Sequence, residues 1–208
     1  MNARPELLIA TTNPGKIAEL TEIFSGLVPR LRSLSEFAAT PEAEETGTTF
    51  EQNAVIKALH YSSHTGLWAL ADDSGLEVEA LGGAPGVFSA RYGGGSASYP
   101  ERMARLLAEI AQTGDEARRA RFVCVIALAA PGDENIQTFT GECRGSIAHA
   151  PRGTGGFGYD PVFIPDGHAA TFGELPAAAK QNLSHRARAA AKARDHIREK
   201  LSEAGLTR

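Results

Sequence analysis

The stretch Leu67-Trp68-Ala69-Leu70-Ala71-Asp72-Asp73-Ser74-Gly75 constrains this chain more than any other, because an apolar run ends abruptly in two carboxylates, a hydroxyl and a glycine. An apolar run of this length, bounded by polar and turn-forming residues, reads as a buried strand. In open α/β sheets ligands gather beyond the carboxyl ends of the strands. Adjacent carboxylates placed there hold a cation, share a proton or do acid-base work. A second reading is a solvated Asp-Asp-Ser-Gly turn, since all four residue types favour turns for local backbone reasons. A strand also points successive side chains to opposite faces, so Asp72 and Asp73 face one site only if the strand has already ended.

The bulk of the chain is that of a soluble globular protein: 208 residues, 42% hydrophobic and 22% charged. A chain of this size buries roughly 70% of its unfolded surface around one sizeable core. The net charge of -4 argues against a sequence-independent grip on nucleic acid, which needs many phosphate-neutralising cations. No apolar run approaches the ~18 residues of a membrane span, and the start Met1 to Glu6 lacks a long secretory core, so the expected address is cytoplasmic. Of the two cysteines, Cys124 lies inside the apolar run Phe122 to Ala130, and both read as reduced thiols. His60 and His64 have the spacing of a helical metal pair, but no third ligand is near, and they read as surface histidines.

Along the chain, Glu6 to Thr11 reads as a first strand. Asn13 caps and Pro14 opens a helix with Ile17, Leu20, Phe24 and Leu27 at helical spacing. Leu31 to Leu34 is a short strand, followed by an acidic loop from Pro41 to Gly47. Thr49 and Gln52 form a capping box for a helix to about His64. Leu76 to Ala80 alternates like a half-exposed strand, and Gly82 to Gly95 reads as a structured loop. A helix spans Pro100 to Gln112, and Arg121 to Ala130 pairs with Ile136 to Ala148. Pro161 to Ile164 is a short strand, and a helix capped at Ser184 runs to about Ala204. No linker or repeat divides residues 1–208, so the economical expectation is one α/β domain, with or without two lobes around a cleft.

Chemistry has four candidate places. Thr11-Thr12-Asn13-Pro14-Gly15-Lys16 is a phosphate-binding layout between strand and helix, because a helix start offers free N–H groups and partial positive charge beside a cation. It is not a P-loop, and a simple capped helix is the alternative. Glu44 and Glu45 are either solvated or, together with Asp72 and Asp73, part of an all-oxygen site for Mg²⁺. Gly153 to Gly158 matches G-x-G-x-x-G, but Asp160-Pro161 and a strand follow where a dinucleotide site needs a helix. It reads instead as a loop approaching a flat ligand, with Phe157 or Tyr159 as a stacking face, or as a Gly-rich hairpin with core aromatics. Lys180 and Ser184-His185-Arg186 put cations and donors at the start of the last helix. The other basic residues there, from Arg188 to Lys200, read as a solvated face.

Taken in order, Thr11 to Lys16, Glu44-Glu45-Thr46-Gly47, Asp72 to Leu76, Gly155 to Pro161 and Ser184-His185-Arg186 resemble the inosine/xanthosine triphosphate pyrophosphatase family, in its bacterial branch. The resemblance implies a long mixed central sheet flanked by helices, two lobes around a substrate cleft, and a homodimer. It also implies Mg²⁺-dependent hydrolysis of deaminated purine nucleoside triphosphates to monophosphate and pyrophosphate. Carried over by position, Thr11, Thr12, Asn13, Pro14, Gly15 and Lys16 hold the phosphates and Asp73 is general base and metal ligand. Glu44 or Glu45 completes the metal site, and Asp72 supports it. Ser74, Phe157, Gly158, Tyr159, Asp160, Lys180, His185 and Arg186 bind substrate. The competing expectation is a non-catalytic nucleotide- or RNA-binding module that uses the basic last helix and Phe157.

Overall fold

Short apolar runs alternating with capped amphipathic segments build a mixed sheet with helical crossovers. The structure, a computed structural model, describes residues 6–133 and 135–205. Residues 1–5, which carry most of the expectation of no secretory leader, lie outside the described residues. The strands are β1 (Leu7–Ile9), β2 (Leu31–Ser33), β3 (Trp68–Val78), β4 (Arg119–Ala129), β5 (Gln137–Ile147) and β6 (Phe163–Pro165). The helices are α1 (Pro14–Phe24), α2 (Phe50–Thr65), α3 (Tyr99–Thr113), α4 (Ala177–Leu183) and α5 (His185–Glu203). The strands form one six-stranded sheet in the order β2-β1-β3-β4-β5-β6. β1 runs parallel to both β2 and β3, with Leu7 opposite Leu31 and Trp68, whereas β6 is antiparallel to β5. Parallel neighbours need a crossover, and α1 and α2 supply those from β1 to β2 and from β2 to β3.

The chain divides into two compact units. Met1–Asp73, Cys124–Gly141 and Ala187–Arg208 make the first, and Ser74–Val123 and Glu142–Arg186 the second. In the first, Leu7, Leu20, Phe24, Leu70 and Ile126 pack with Cys124 against the alanine-rich face of α5, through Ala189, Ala190 and Ala193. In the second, Leu76, Val78, Leu106, Ile110, Ile147 and Phe163 form the core around Phe122 and Phe172. Cys124 is buried in the core, as its apolar run implies, and Cys143 is buried as well.

The expectation of a strand end or turn at Asp72-Asp73-Ser74-Gly75 is overturned. β3 continues without interruption from Trp68 to Val78 and absorbs the separate strand expected from Leu76. Gly75 is not among the glycines in the left-handed region, so no turn requires it. The turn preference of these residues is local, and buried pairing overrides it because each carboxylate has a lysine partner.

The caps are nearly as read. Asn13 Oδ1 accepts from the N–H groups of Gly15 and Lys16 at 2.9 and 3.2 Å, with Pro14 in the first turn. Two of the N–H groups expected to be free are thus used by the cap itself. Thr49 Oγ1 accepts from Gln52 N at 3.1 Å, but the Gln52 side chain accepts from the Thr48 N–H rather than closing a box on Thr49. Glu101 accepts from the Ser98 N–H at 2.7 Å and starts α3 one residue early, at Tyr99. The strand expected at Pro161 begins only at Phe163, after a 3-10 turn over Asp160–Val162. Ser184 separates α4 from α5 in an extended conformation.

Candidate functional site

In the first unit β3 carries Asp72 and Asp73 in succession, so their side chains diverge. Lys16, at the start of α1, places its ammonium 3.0 Å from Asp72 Oδ2, and the Cys124 thiol donates to the same oxygen at 3.8 Å. Asp73 is met from α2: Lys57 Nζ lies 3.1 Å from Oδ1 and Asn53 Nδ2 donates to Oδ2 at 3.3 Å. Lys57 also holds Glu45, with Nζ 2.6 Å from Oε1. The Lys57 ammonium therefore joins two carboxylates, Glu45 and Asp73. Glu44 is exposed, and its carbonyl accepts from the Thr46 N–H.

Burial pushes the Asp73 carboxyl above its ordinary value. Lys57 draws it down, the negative charge of Glu45 adds to the rise, and Lys16 opposes it. For Lys57, burial disfavours the ammonium, but Asp73, Asp72 and Glu45 together outweigh it and keep the lysine firmly protonated. Among the described residues no group of three or more His, Cys, Asp or Glu side chains is arranged to hold a metal. What the protein offers is two hard carboxylates converging on one cation. That donor set fits Mg²⁺, which is held by one or two carboxylates together with waters and phosphate oxygens. It does not fit a four-ligand nitrogen or sulfur site, and His60 and His64 remain a surface pair with 4.3 Å between ring centroids.

Thr11 accepts from the Asn13 N–H at 3.2 Å and Thr12 is exposed, so the Thr11–Lys16 segment is a capped helix start with Lys16 turned to Asp72. The sequence reading missed Asn53 and Lys57. Their signal is the i,i+4 spacing of two polar residues beside Ala54 and Ala58 on the buried face of α2.

The second unit contains a separate polar set. The Phe157 N–H donates to Asp160 Oδ2 at 2.7 Å, and Lys180 Nζ lies 2.6 Å from the same oxygen. A Cβ on Gly156, whose φ is +69°, would sit 1.9 Å from that oxygen, so only glycine admits this turn. Lys180 Nζ lies 4.2 Å from the Phe157 ring centroid and the Arg186 guanidinium 5.4 Å, so the half-buried ring carries two cations. Arg186 Nη2 donates to Ser74 Oγ at 2.9 Å. His185 is buried and stacks on Phe122 at 4.7 Å and 11°. Tyr159 does not offer its face. It is a core residue whose hydroxyl donates to the Ser89 carbonyl at 3.0 Å, set edge-on to Tyr99. Of the two aromatics considered for stacking, Phe157 is the one beside the charged groups. No dinucleotide-type helix follows the glycines, as the sequence context requires.

The chain is 51% identical over 191 residues to a dITP/XTP pyrophosphatase of Geobacter sulfurreducens, covering 92% of this chain and 96% of that protein. It is 50% identical over 188 residues to a dITP/XTP pyrophosphatase of Gloeobacter violaceus, covering 89% and 91%. Among solved structures, a HAM1 protein from Coxiella burnetii superposes with a TM-score of 0.87 at 42% identity, covering 94% of this chain and 99% of that one. A nucleoside-triphosphatase, dITP/XTP pyrophosphatase, from Mycobacterium abscessus gives 0.72 at 44% identity, covering 90% and 97%. The Ham1 family's own sequence profile matches residues 7–196, and the chain belongs to that family.

Proposed function

We propose that this chain hydrolyses deaminated purine nucleoside triphosphates, dITP, ITP and XTP, between the α- and β-phosphorus, releasing monophosphate and pyrophosphate. The observation that carries this reading is the pair of carboxylates, Asp73 and Glu45, gathered on one cationic centre in a chain half identical to named dITP/XTP pyrophosphatases. Asp73 is assigned as general base. It accepts a proton from the attacking water, a role worth about 10²–10⁴-fold, and its burial favours a base that is not too weak. Glu45, rather than Glu44, and Asp73 would hold Mg²⁺, which when bound neutralises phosphate charge. Lys16 and the start of α1 neutralise the remaining phosphate charge, with Asp72 holding Lys16 in place. In the second unit, Ser74, Phe157, Gly158, Asp160, Lys180, His185 and Arg186 are assigned to the nucleotide, and Tyr159 supports the loop from the core.

Deaminated purines carry a 6-oxo group where adenine carries an amine. Donors from Arg186 and backbone N–H groups aimed at that oxygen face an adenine amine donor to donor. Such mismatches cost about 10⁴–10⁵ in specificity. We further propose self-association into a homodimer, measurable by sedimentation, and a cytoplasmic address. Among the described residues no helix is long and apolar enough to cross a membrane.

The decisive assay follows pyrophosphate release from dITP, XTP, GTP and ATP with and without Mg²⁺. One pyrophosphate per monophosphate, from dITP and XTP, in Mg²⁺ only, is expected. Release of orthophosphate with a diphosphate product, or binding without turnover, overturns the proposal.

A further inference from the structure

The side chain of Asn53 is fully buried near the start of α2 and uses both ends of its amide. Oδ1 accepts from the Gly47 N–H at 2.8 Å, and Nδ2 donates to Asp73 Oδ2 at 3.3 Å. Gly47 lies two residues beyond Glu45. A Cβ there would come within 2.7 Å of Asn53 Oδ1 and 2.6 Å of Gln52 Cβ, so the loop lies flat on the first turn of α2. A buried amide costs free energy unless both its ends are bonded, and an apolar residue would fill this place at less cost. Its polar groups link two elements far apart in sequence, the acidic loop and β3.

We infer that Asn53 is a positioning residue that ties the Glu44–Gly47 loop to Asp73, so that the Glu45 and Asp73 carboxylates face a common cation. The inference rests on the proposed assignment of the metal to those two carboxylates. Asn53 touches neither water nor nucleotide in this scheme and acts by orienting the two carboxylates, as groups behind metal ligands do.

The test titrates the metal-free, full-length protein with Mn²⁺ alone, followed by water-proton relaxation. Asn53→Ala and Gly47→Ala break the same link from its two sides, and each is expected to weaken Mn²⁺ binding about tenfold, within the range for loss of such supporting groups. The Mg²⁺ concentration for half-maximal activity rises by the same factor, while the nucleotide KM at saturating Mg²⁺ stays within about twofold. In a Glu45→Gln background Asn53→Ala adds no further loss, because the two act as one unit. Wild-type Mn²⁺ affinity in Asn53→Ala and Gly47→Ala, with affinity lost in Asp73→Asn, overturns the inference and leaves the metal assignment standing. Wild-type affinity in Asp73→Asn and Glu45→Gln overturns the metal assignment and the inference with it. If Asn53→Ala fails to fold, Gly47→Ala alone decides.

Discussion

Burial and charged neighbours pull the Asp73 carboxyl in opposite directions. Burial disfavours its charge more than Lys57 and Lys16 restore it, so its pKa lies above the unfolded value. The sign follows: ionised Asp73 costs stability, and that cost grows as pH rises through the unfolded pKa and is complete above the folded one. Asp73→Asn lifts that cost but also removes a partner of the buried Lys57 ammonium, so its expected readout is activity: pyrophosphate release is nearly abolished. A variant that keeps most of its activity removes Asp73 from the mechanism. Arg186 makes the second residue-scale case. Arg186→Ala removes both the bond to Ser74 and a cation beside Phe157. We expect the kcat/KM ratio of dITP over dATP to narrow, and an unchanged ratio places base selectivity elsewhere. At this scale strand alternation stated the condition for Asp72 and Asp73 to diverge, but not that the strand continues through them. It did not show Asn53 or Lys57, whose importance lies in what they touch across the fold.

Helices were legible at the element scale wherever a cap announced them. Asn13 with Pro14 marks α1, and the expected residues Leu20 and Phe24 are fully buried on its inner face. The cap is also an energetic statement. Asn13→Ala removes the acceptor for two N–H groups and should cost about 1 kcal/mol. In a chain of this size that lowers the melting temperature by about 2–4 °C, measurable by calorimetry. β3 was misread because four turn-forming residues in a row outweighed, locally, a pairing that only the sheet provides. The glycine segment shows the same limit from the other side. Its composition announced a tight backbone, but the reason for Gly156 is the Asp160 carboxylate, which no spacing rule reveals. Gly156→Ala is expected to displace the Asp160–Lys180 pair and raise the nucleotide KM, with Mn²⁺ binding by the metal-free protein unchanged.

For the whole molecule, composition was a sound guide to class and two lobes were expected, but the positions at which the chain divides were hidden for a definite reason. The boundaries, at Asp73/Ser74, Val123/Cys124, Gly141/Glu142 and Arg186/Ala187, fall inside β3, β4, β5 and α5. No change of composition or linker marks a boundary within a strand or helix. Net charge, in contrast, bears directly on partners. The chain carries 21 basic and 25 acidic residues, and its most basic segment, α5, with six Lys and Arg against three Asp and Glu, is partly compensated. Arg198 pairs with Asp195 at 2.8 Å, Lys200 with Glu203 at 3.0 Å, and Lys192 donates to the Thr140 carbonyl at 2.7 Å. Phosphates of a polynucleotide would have to compete with those partners, and the counterion release that drives non-specific binding would be correspondingly small. Fluorescence anisotropy of a labelled single-stranded oligonucleotide at about 50 mM salt is expected to show no saturable binding up to about 100 µM protein, the weak end of ordinary non-specific affinity. Micromolar binding that falls steeply between about 50 and 200 mM salt would make α5 a nucleic-acid surface. Joined to an absence of turnover on dITP, it would restore the binding-module reading.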